Sequence, residues 1–231
     1  SWAAGAAFGL AMSVKLVPIL FAPAFLLYLP DMRRRAQFVL STGAIFLVGA
    51  MPYWWQAPAL VVNRTFGYTP QGEYWGVAQM IQLFLPDAAH RIYSKAGKLV
   101  VFVIVLLLSF QMNRRNRKTG LFLQCGCIAS QFLFWSPGFG YQYLTWLAPW
   151  SGNLVRKAGR FYYVASAAFL FAVYTVWSRG LPWYFANTLN RHVPLSSVVL
   201  LFLLGTTCWV SVGAIAYRLW RESVAPHGPP E

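Results

Sequence analysis

Long apolar runs separated by short basic clusters set the rhythm of this chain. A bilayer-spanning helix needs about 20 mostly apolar residues, and seven stretches approach that length: about Trp2 to Leu29, Ala36 to Trp54, Gly97 to Met112, Gly120 to Trp135, Tyr141 to Leu154, Phe161 to Trp177 and Leu195 to Trp220. The pattern predicts an all-α integral membrane protein with about seven transmembrane helices. Pro18 and Pro23 interrupt the first run and are expected to kink it or unwind its inner end. Residues 1–220 read as a transmembrane domain, and residues 221–231, ending in APHGPPE, as a disordered cytoplasmic tail.

Charge gives the runs a direction. The 19 Lys+Arg against 5 Asp+Glu would fit nucleic-acid binding if they lay on a soluble surface, but nearly all sit in short loops, where they orient spans instead. Arg33-Arg34-Arg35, Arg114-Arg115-Arg117-Lys118, Arg156-Lys157-Arg160 and Arg218 with Arg221 follow the first, third, fifth and seventh runs. Arg64, Arg91, Lys95, Lys98, Arg179 and Arg191 fall on the other side. The first run is therefore expected to begin outside and the C-terminus to lie in the cytoplasm, with no nucleic-acid partner. Opening on Ser1-Trp2 without a charged leader, the chain reads as beginning inside a longer protein.

The outer segments are the unusual ones. Trp55 to Ala96 is long and aromatic, and within it Val77, Met80, Ile81 and Phe84 recur at helical spacing, predicting an interfacial helix over Gly76 to Leu85. In Ser136 to Trp150, SPGFGYQYLTWLAPW, Pro137, Gly138 and Gly140 forbid a regular helix. Irregular backbone at membrane depth is tolerated only where protein or water satisfies it, so a re-entrant or cavity-lining segment is expected.

Few residues offer chemistry. Lys15 is the one cation deep inside an expected span, where it either binds an anionic group such as a phosphate or pairs with helix carbonyls freed by Pro18. Gln142 and Trp146, four apart with Tyr143 beside them, would share a helix face. An amide that donates and accepts next to an indole face suits a saccharide, and an aromatic belt with an interfacial Gln is the plainer alternative. Glu73 and Asp87 are the only outer carboxylates, and Asp87 stands where a helix N-cap belongs. Cys125, Cys127 and Cys208 lie in apolar runs and read as packing residues. No phosphate loop, Ser/His/Asp arrangement or metal-ligand spacing occurs in the sequence.

GLAMSVKLVPILFAPAFLLYLPDMRRR, Gly9 to Arg35, and FWSPGFGYQYLTWLAPW, Phe134 to Trp150, together resemble two segments of polyprenyl-phosphate-dependent, multi-spanning glycosyltransferases of the GT-C class. The likeness is to the bacterial mannosyltransferase-like branch and to the eukaryotic mannosyltransferases of glycolipid-anchor assembly. It implies transfer of a hexose, mannose-like, from a polyprenyl-phosphate donor to a lipid or glycan acceptor at the outer face of a bacterial plasma membrane. On that resemblance Lys15, Arg64 and Arg191 are the candidate phosphate cations, and Gln142, Tyr143 and Trp146 belong to the sugar site. The chain resembles the C-terminal half to two-thirds of such an enzyme, whose essential acidic residue lies further upstream. The glycines before Gln142 stand where the family often has Pro. No cofactor is implied, with a divalent metal left open. A transporter or lipid-linked-saccharide flippase and a non-catalytic assembly subunit are the alternative readings.

Overall fold

The computed structural model describes residues 1–66, 75–115, 120–138, 140–153, 156–178 and 194–224, with backbone only for 64–66, 115, 153 and 156. Of these, 91% are helical, and no strand occurs among them. The helices are α1 (Trp2–Val14), α2 (Ala22–Tyr28), α3 (Met32–Gln56), α4 (Pro58–Phe66), α5 (Gly76–Phe84), α6 (Asp87–Arg115), α7 (Leu121–Trp135), α8 (Ala148–Asn153), α9 (Arg156–Ser178) and α10 (Leu195–Val224). Two 3-10 helices, Val17–Phe21 and Tyr141–Leu147, precede α2 and α8.

Among the described residues four helices, α3, α6, α9 and α10, are long and apolar enough to cross a membrane, and they mark the chain as a membrane protein. Trp2–Val14, Val17–Tyr28 and Leu121–Trp135 are apolar but shorter. Seven full-length spans are therefore not what these residues form. α6 starts ten residues before the expected Gly97, and its 29 residues reach about 43 Å, beyond a hydrocarbon core of about 30 Å. α10 runs on to Val224, so the first residues of the expected tail are helical.

The described residues of Ser1–Thr69 and Val105–Ile128 form one compact unit, and those of Pro70–Ile104 and Ala129–Ala225 another. In the first unit, α1 lies against α3 through small residues four apart. A Cβ on Gly5 would fall 2.4 Å from the Phe38 carbonyl oxygen, one on Gly9 2.6 Å from that of Thr42, and one on Gly49 2.8 Å from Ser13 Oγ. Thr42 Oγ1 donates to the Gly5 carbonyl at 3.0 Å, and the Ser1 hydroxyl donates to Gln37. The partners advance together along both helices, so α1 and α3 are parallel, packed as small-xxx-small pairs are in membranes.

Parallel neighbours require the chain to turn back between them. It does so at Lys15, whose extended backbone (φ −159°, ψ 135°) ends α1. Prolines then open the returning elements, Pro18 the 3-10 helix and Pro23 α2, positions where a missing N–H costs nothing. Phe25 of α2 packs on Phe8 at 5.2 Å and stacks on Phe38 at 5.7 Å. The expected first span from Trp2 to Leu29 is thus a hairpin and not one kinked helix. Its two ends meet: Arg35 Nε donates to the Leu29 carbonyl at 3.1 Å near the level of Ser1. Ser1 accordingly lies at the same end as Arg33-Arg34-Arg35, contrary to the expectation that the first run begins on the opposite side. Asp31 starts α3 there, accepting from the Arg34 backbone N–H at 2.8 Å as an N-cap does.

In the second unit, Trp75 is fully buried and stacks on Phe169 with ring centroids 5.9 Å apart. Gly76 opens α5 at φ +66°, a left-handed conformation suited to glycine, and the Trp209 ring lies 3.5 Å from where its Cβ would be. α5 has nearly the expected bounds. It does not simply lie on the surface, because Gly76, Ala78 and Gln79 are buried while Leu83 and Phe84 are exposed.

Candidate functional site

The segment after α7 needs support, because a helix end leaves its last carbonyls without intrahelical donors. Here each has one. The Ser136 N–H donates to the Phe132 carbonyl at 2.9 Å, the Trp75 indole to Leu133 at 3.1 Å, the Trp209 indole to Phe134 at 3.0 Å and the Tyr93 hydroxyl to Trp135 at 2.5 Å. Three aromatic side chains from three elements therefore close the end of α7. The turn beyond is satisfied locally, with Ser136 Oγ donating to the Gly138 carbonyl at 2.8 Å. Pro137 packs so tightly on α6 that a Cβ on Gly97 would lie 2.8 Å from its ring. Protein groups thus satisfy the carbonyls of Phe132 to Trp135 and of Gly138.

The stretch Tyr141 to Leu154, expected as one helical crossing, is a seven-residue 3-10 helix followed by the six-residue α8. The tighter helix rises about 2.0 Å per residue, so the two together reach about 23 Å. They lie antiparallel along α9. Tyr141 packs on Phe169 at 5.2 Å and on Trp177 at 5.3 Å. The Tyr162 hydroxyl donates to the Leu144 carbonyl, Tyr163 to Ala148 at 2.8 Å, and a Cβ on Gly159 would fall 1.9 Å from the Ser151 carbonyl oxygen. Tyr141 thus stands by the last turn of α9, at the end remote from Arg156, Lys157 and Arg160.

The 3-10 period changes which side chains meet. With three residues per turn, i and i+3 share a face, so Tyr143 and Trp146 stack at 4.4 Å with planes 13° apart. Gln142 and Trp146, expected on one face from an α-helical period, are not so aligned. Gln142 aligns with Thr145, whose Oγ1 donates to the Gln142 carbonyl at 2.7 Å. Tyr143 is buried, Trp146 half-buried and Gln142 exposed. The Gln142 amide folds back over Gly140, where a Cβ would lie 2.6 Å from both its terminal atoms. The result is an aromatic stack of Tyr143 and Trp146, with the neutral Gln142 amide turned back over Gly140; a ring face and an amide are groups that can hold a sugar by its face and its hydroxyls.

None of the other described candidates is a member of this stack. Lys15, half-buried, belongs to the first unit. It is not deep in a span: the α1–α3 register brings the hairpin tip level with Met51 and Pro52, one turn or less from exposed Tyr53, Trp54 and Trp55. At a helix C-terminus a lysine also faces the negative end of the helix dipole. Asp87 is exposed and is the first residue of α6, not its N-cap, where a carboxylate still favours the dipole. The side chain of Arg64, on α4, and both Glu73 and Arg191 lie outside what is described. Among the described residues no three His, Cys, Asp or Glu side chains gather as a metal site. Cys127 and Cys208 are buried and Cys125 half-buried, all three as free thiols.

Trp75, Tyr93 and Trp209 were not among the sequence candidates. Their partners are 58, 42 and 75 residues away, so no local spacing announces them. Comparison of the chain with protein-family models, curated proteins and solved structures finds no match.

Proposed function

We propose that this chain serves in a membrane glycosyltransferase that moves a hexose, mannose in the first instance, from a polyprenyl-phosphate donor to an acceptor at the outer face of a bacterial plasma membrane. The observation that carries this reading is the Tyr143–Trp146 stack, preceded by exposed Gln142, in a 3-10 helix whose first residue, Tyr141, packs on Trp177 at the end of α9 remote from its basic cluster. Basic loops stay in the cytoplasm, so that end belongs outside, where lipid-linked sugars are used.

The same rule gives the topology. Arg33–Arg35, Arg114, the Arg156–Arg160 cluster and Arg218 with Arg221 are cytoplasmic. α3, α6, α7, the stretch Tyr141–Asn153, α9 and α10 then make six crossings, and the α1–α2 hairpin enters from the cytoplasmic side with Lys15 at its tip. The first residues are on the inside in this arrangement.

A phosphate-linked donor brings its own leaving group, so the protein has to supply cations for the phosphate and a base for the acceptor hydroxyl. In the second unit Trp146 stacks on the hexose and Gln142 bonds its hydroxyls; in the first unit Lys15, level with the aromatic residues at the end of α3, is a candidate cation for a phosphate. A lipid-linked-saccharide transporter is the second reading, favoured by the helices that break at Lys15 and at Ser136. Membranes carrying the full-length protein, supplied with radiolabelled polyprenyl-phosphate-mannose, separate the two. Label in a new glycolipid supports transfer, and label that changes leaflet on the unaltered donor supports transport.

A further inference from the structure

Between α2 and the later half of α6, within the first unit, runs a groove of about 510 Å³ lined by Pro23, Leu26, Leu27, Leu106, Leu107 and Phe110. Its size lies in the range of about 300 to 1,000 Å³ usual for small-molecule sites, but nothing polar lines it. Water has no partner in such a groove, and hydrocarbon does. Leu107 is 64% exposed and Phe110 46%, so the groove opens to the surroundings of the helix, which for the apolar middle of a crossing is lipid.

Charge distinguishes this groove from ordinary lipid-facing surface. Each wall ends in arginine. On the α6 side the Arg114 guanidinium lies over the Phe110 ring, 4.2 Å from its centroid, which joins a cation to the groove lining itself. On the α2 side the chain passes directly into Arg33, Arg34 and Arg35, with Arg35 Nε held on the last carbonyl of that turn, Leu29, at 3.1 Å. Among the described residues that line or end the groove, one carboxylate stands against these four arginines: Asp31, paired with Arg34 at 3.3 Å. The net charge at the groove's ends is positive, and the complementary occupant is an anionic headgroup carrying an apolar chain.

We propose that this groove holds one acyl chain of an anionic phospholipid of the cytoplasmic leaflet, its phosphate set against Arg114 and the Arg33–Arg35 cluster. The site is independent of the sugar-transfer reading; it rests on α6 crossing the membrane with Arg114 and Arg33–Arg35 on its cytoplasmic side. Bound there, the lipid fills the space beside the hairpin and ties α2 to α6.

Native mass spectrometry of the full-length protein, titrated in detergent with phosphatidylglycerol or with phosphatidylcholine of the same chains, tests it. Phosphatidylglycerol is expected to be retained preferentially. Arg114→Gln should weaken its retention about fivefold, as one cation fewer at an anionic lipid surface implies. Leu107→Trp, which occupies the groove, should reduce retention of both lipids. Both side chains are exposed, so thermal unfolding of the two variants should match the parent. Equal retention of the two lipids by the parent, or retention unaffected by either substitution, overturns the proposal. So does displacement of phosphatidylglycerol by polyprenyl phosphate in preference to any phospholipid.

Discussion

Trp209 meets Phe134 twice, its indole N–H donating to the Phe134 carbonyl at 3.0 Å while its ring stacks on the Phe134 ring at 4.8 Å. The two contacts fix both the backbone and the side chain at the end of α7, two residues before the turn that begins at Ser136 and leads to the sugar-site candidates. A helix that stops inside protein needs its carbonyls occupied, and indole donors do this while adding apolar surface where water is scarce.

Trp209→Phe keeps much of the stack and removes the donor. It should lower stability by about 1 to 3 kcal/mol, the cost of a buried carbonyl left without its partner. Thermal unfolding of the detergent-solubilised protein measures this, and an unchanged midpoint would show that the bond does not hold the turn.

Gly5 and Gly43 lie on the packed and unpacked faces of the α1–α3 pair. A methyl group on Gly5 meets the Phe38 carbonyl at 2.4 Å, whereas one on Gly43 meets nothing within 4 Å. Gly5→Ala is expected to destabilise by about 1 to 3 kcal/mol through overpacking. Gly43→Ala should be neutral, or stabilise by up to about 1 kcal/mol through helix propensity. The comparison of the two unfolding midpoints checks the parallel packing.

The hairpin makes a topological prediction. With Cys125, Cys127 and Cys208 replaced by Ala, thiols introduced by Ser1→Cys and Met32→Cys should react with an impermeant reagent from the same side of the membrane. A thiol from Val14→Cys, at the tip, should not react from that side. Labelling of Ser1→Cys and Met32→Cys from opposite sides would restore a single first span.

These features differ in how far the sequence discloses them. The long crossings were legible because hydropathy over 20 residues is a local property: α9 and α10 contain the runs expected at Phe161 and Leu195. The hairpin was not, since Trp2 to Leu29 has the apolar length of one span. What turns it is the pairing of Gly5, Gly9 and Ser13 with α3, a contact between distant residues. The 3-10 form of Tyr141–Leu147 was hidden for a related reason. It runs along α9 through contacts with Phe169, Trp177 and Tyr162, and an α-helical period applied to Gln142 and Trp146 pairs the wrong side chains. The importance of the Ser136 to Trp150 stretch itself was visible, because Pro137, Gly138 and Gly140 break any regular helix wherever they stand.

Lys15 separates donor use from acceptor use. Under the proposed function Lys15→Ala should raise the KM for polyprenyl-phosphate-mannose by about tenfold, equivalent to about 1.4 kcal/mol of lost phosphate contact. The KM for the acceptor should stay within twofold, about 0.4 kcal/mol. Steady-state kinetics with each substrate varied in turn decide it, and unchanged constants for both remove Lys15 from the donor site.

The proposed sugar site rests on Trp146, and transfer kinetics of the full-length protein with Trp146→Ala and Trp146→Phe test it. Mannosyl transfer is expected of the parent, with a loss of about tenfold in kcat/KM for Trp146→Ala, equivalent to about 1.4 kcal/mol, and partial recovery with Trp146→Phe, which keeps a ring over Tyr143. Equal transfer by the parent and Trp146→Ala, with both equally stable to heat, would contradict it.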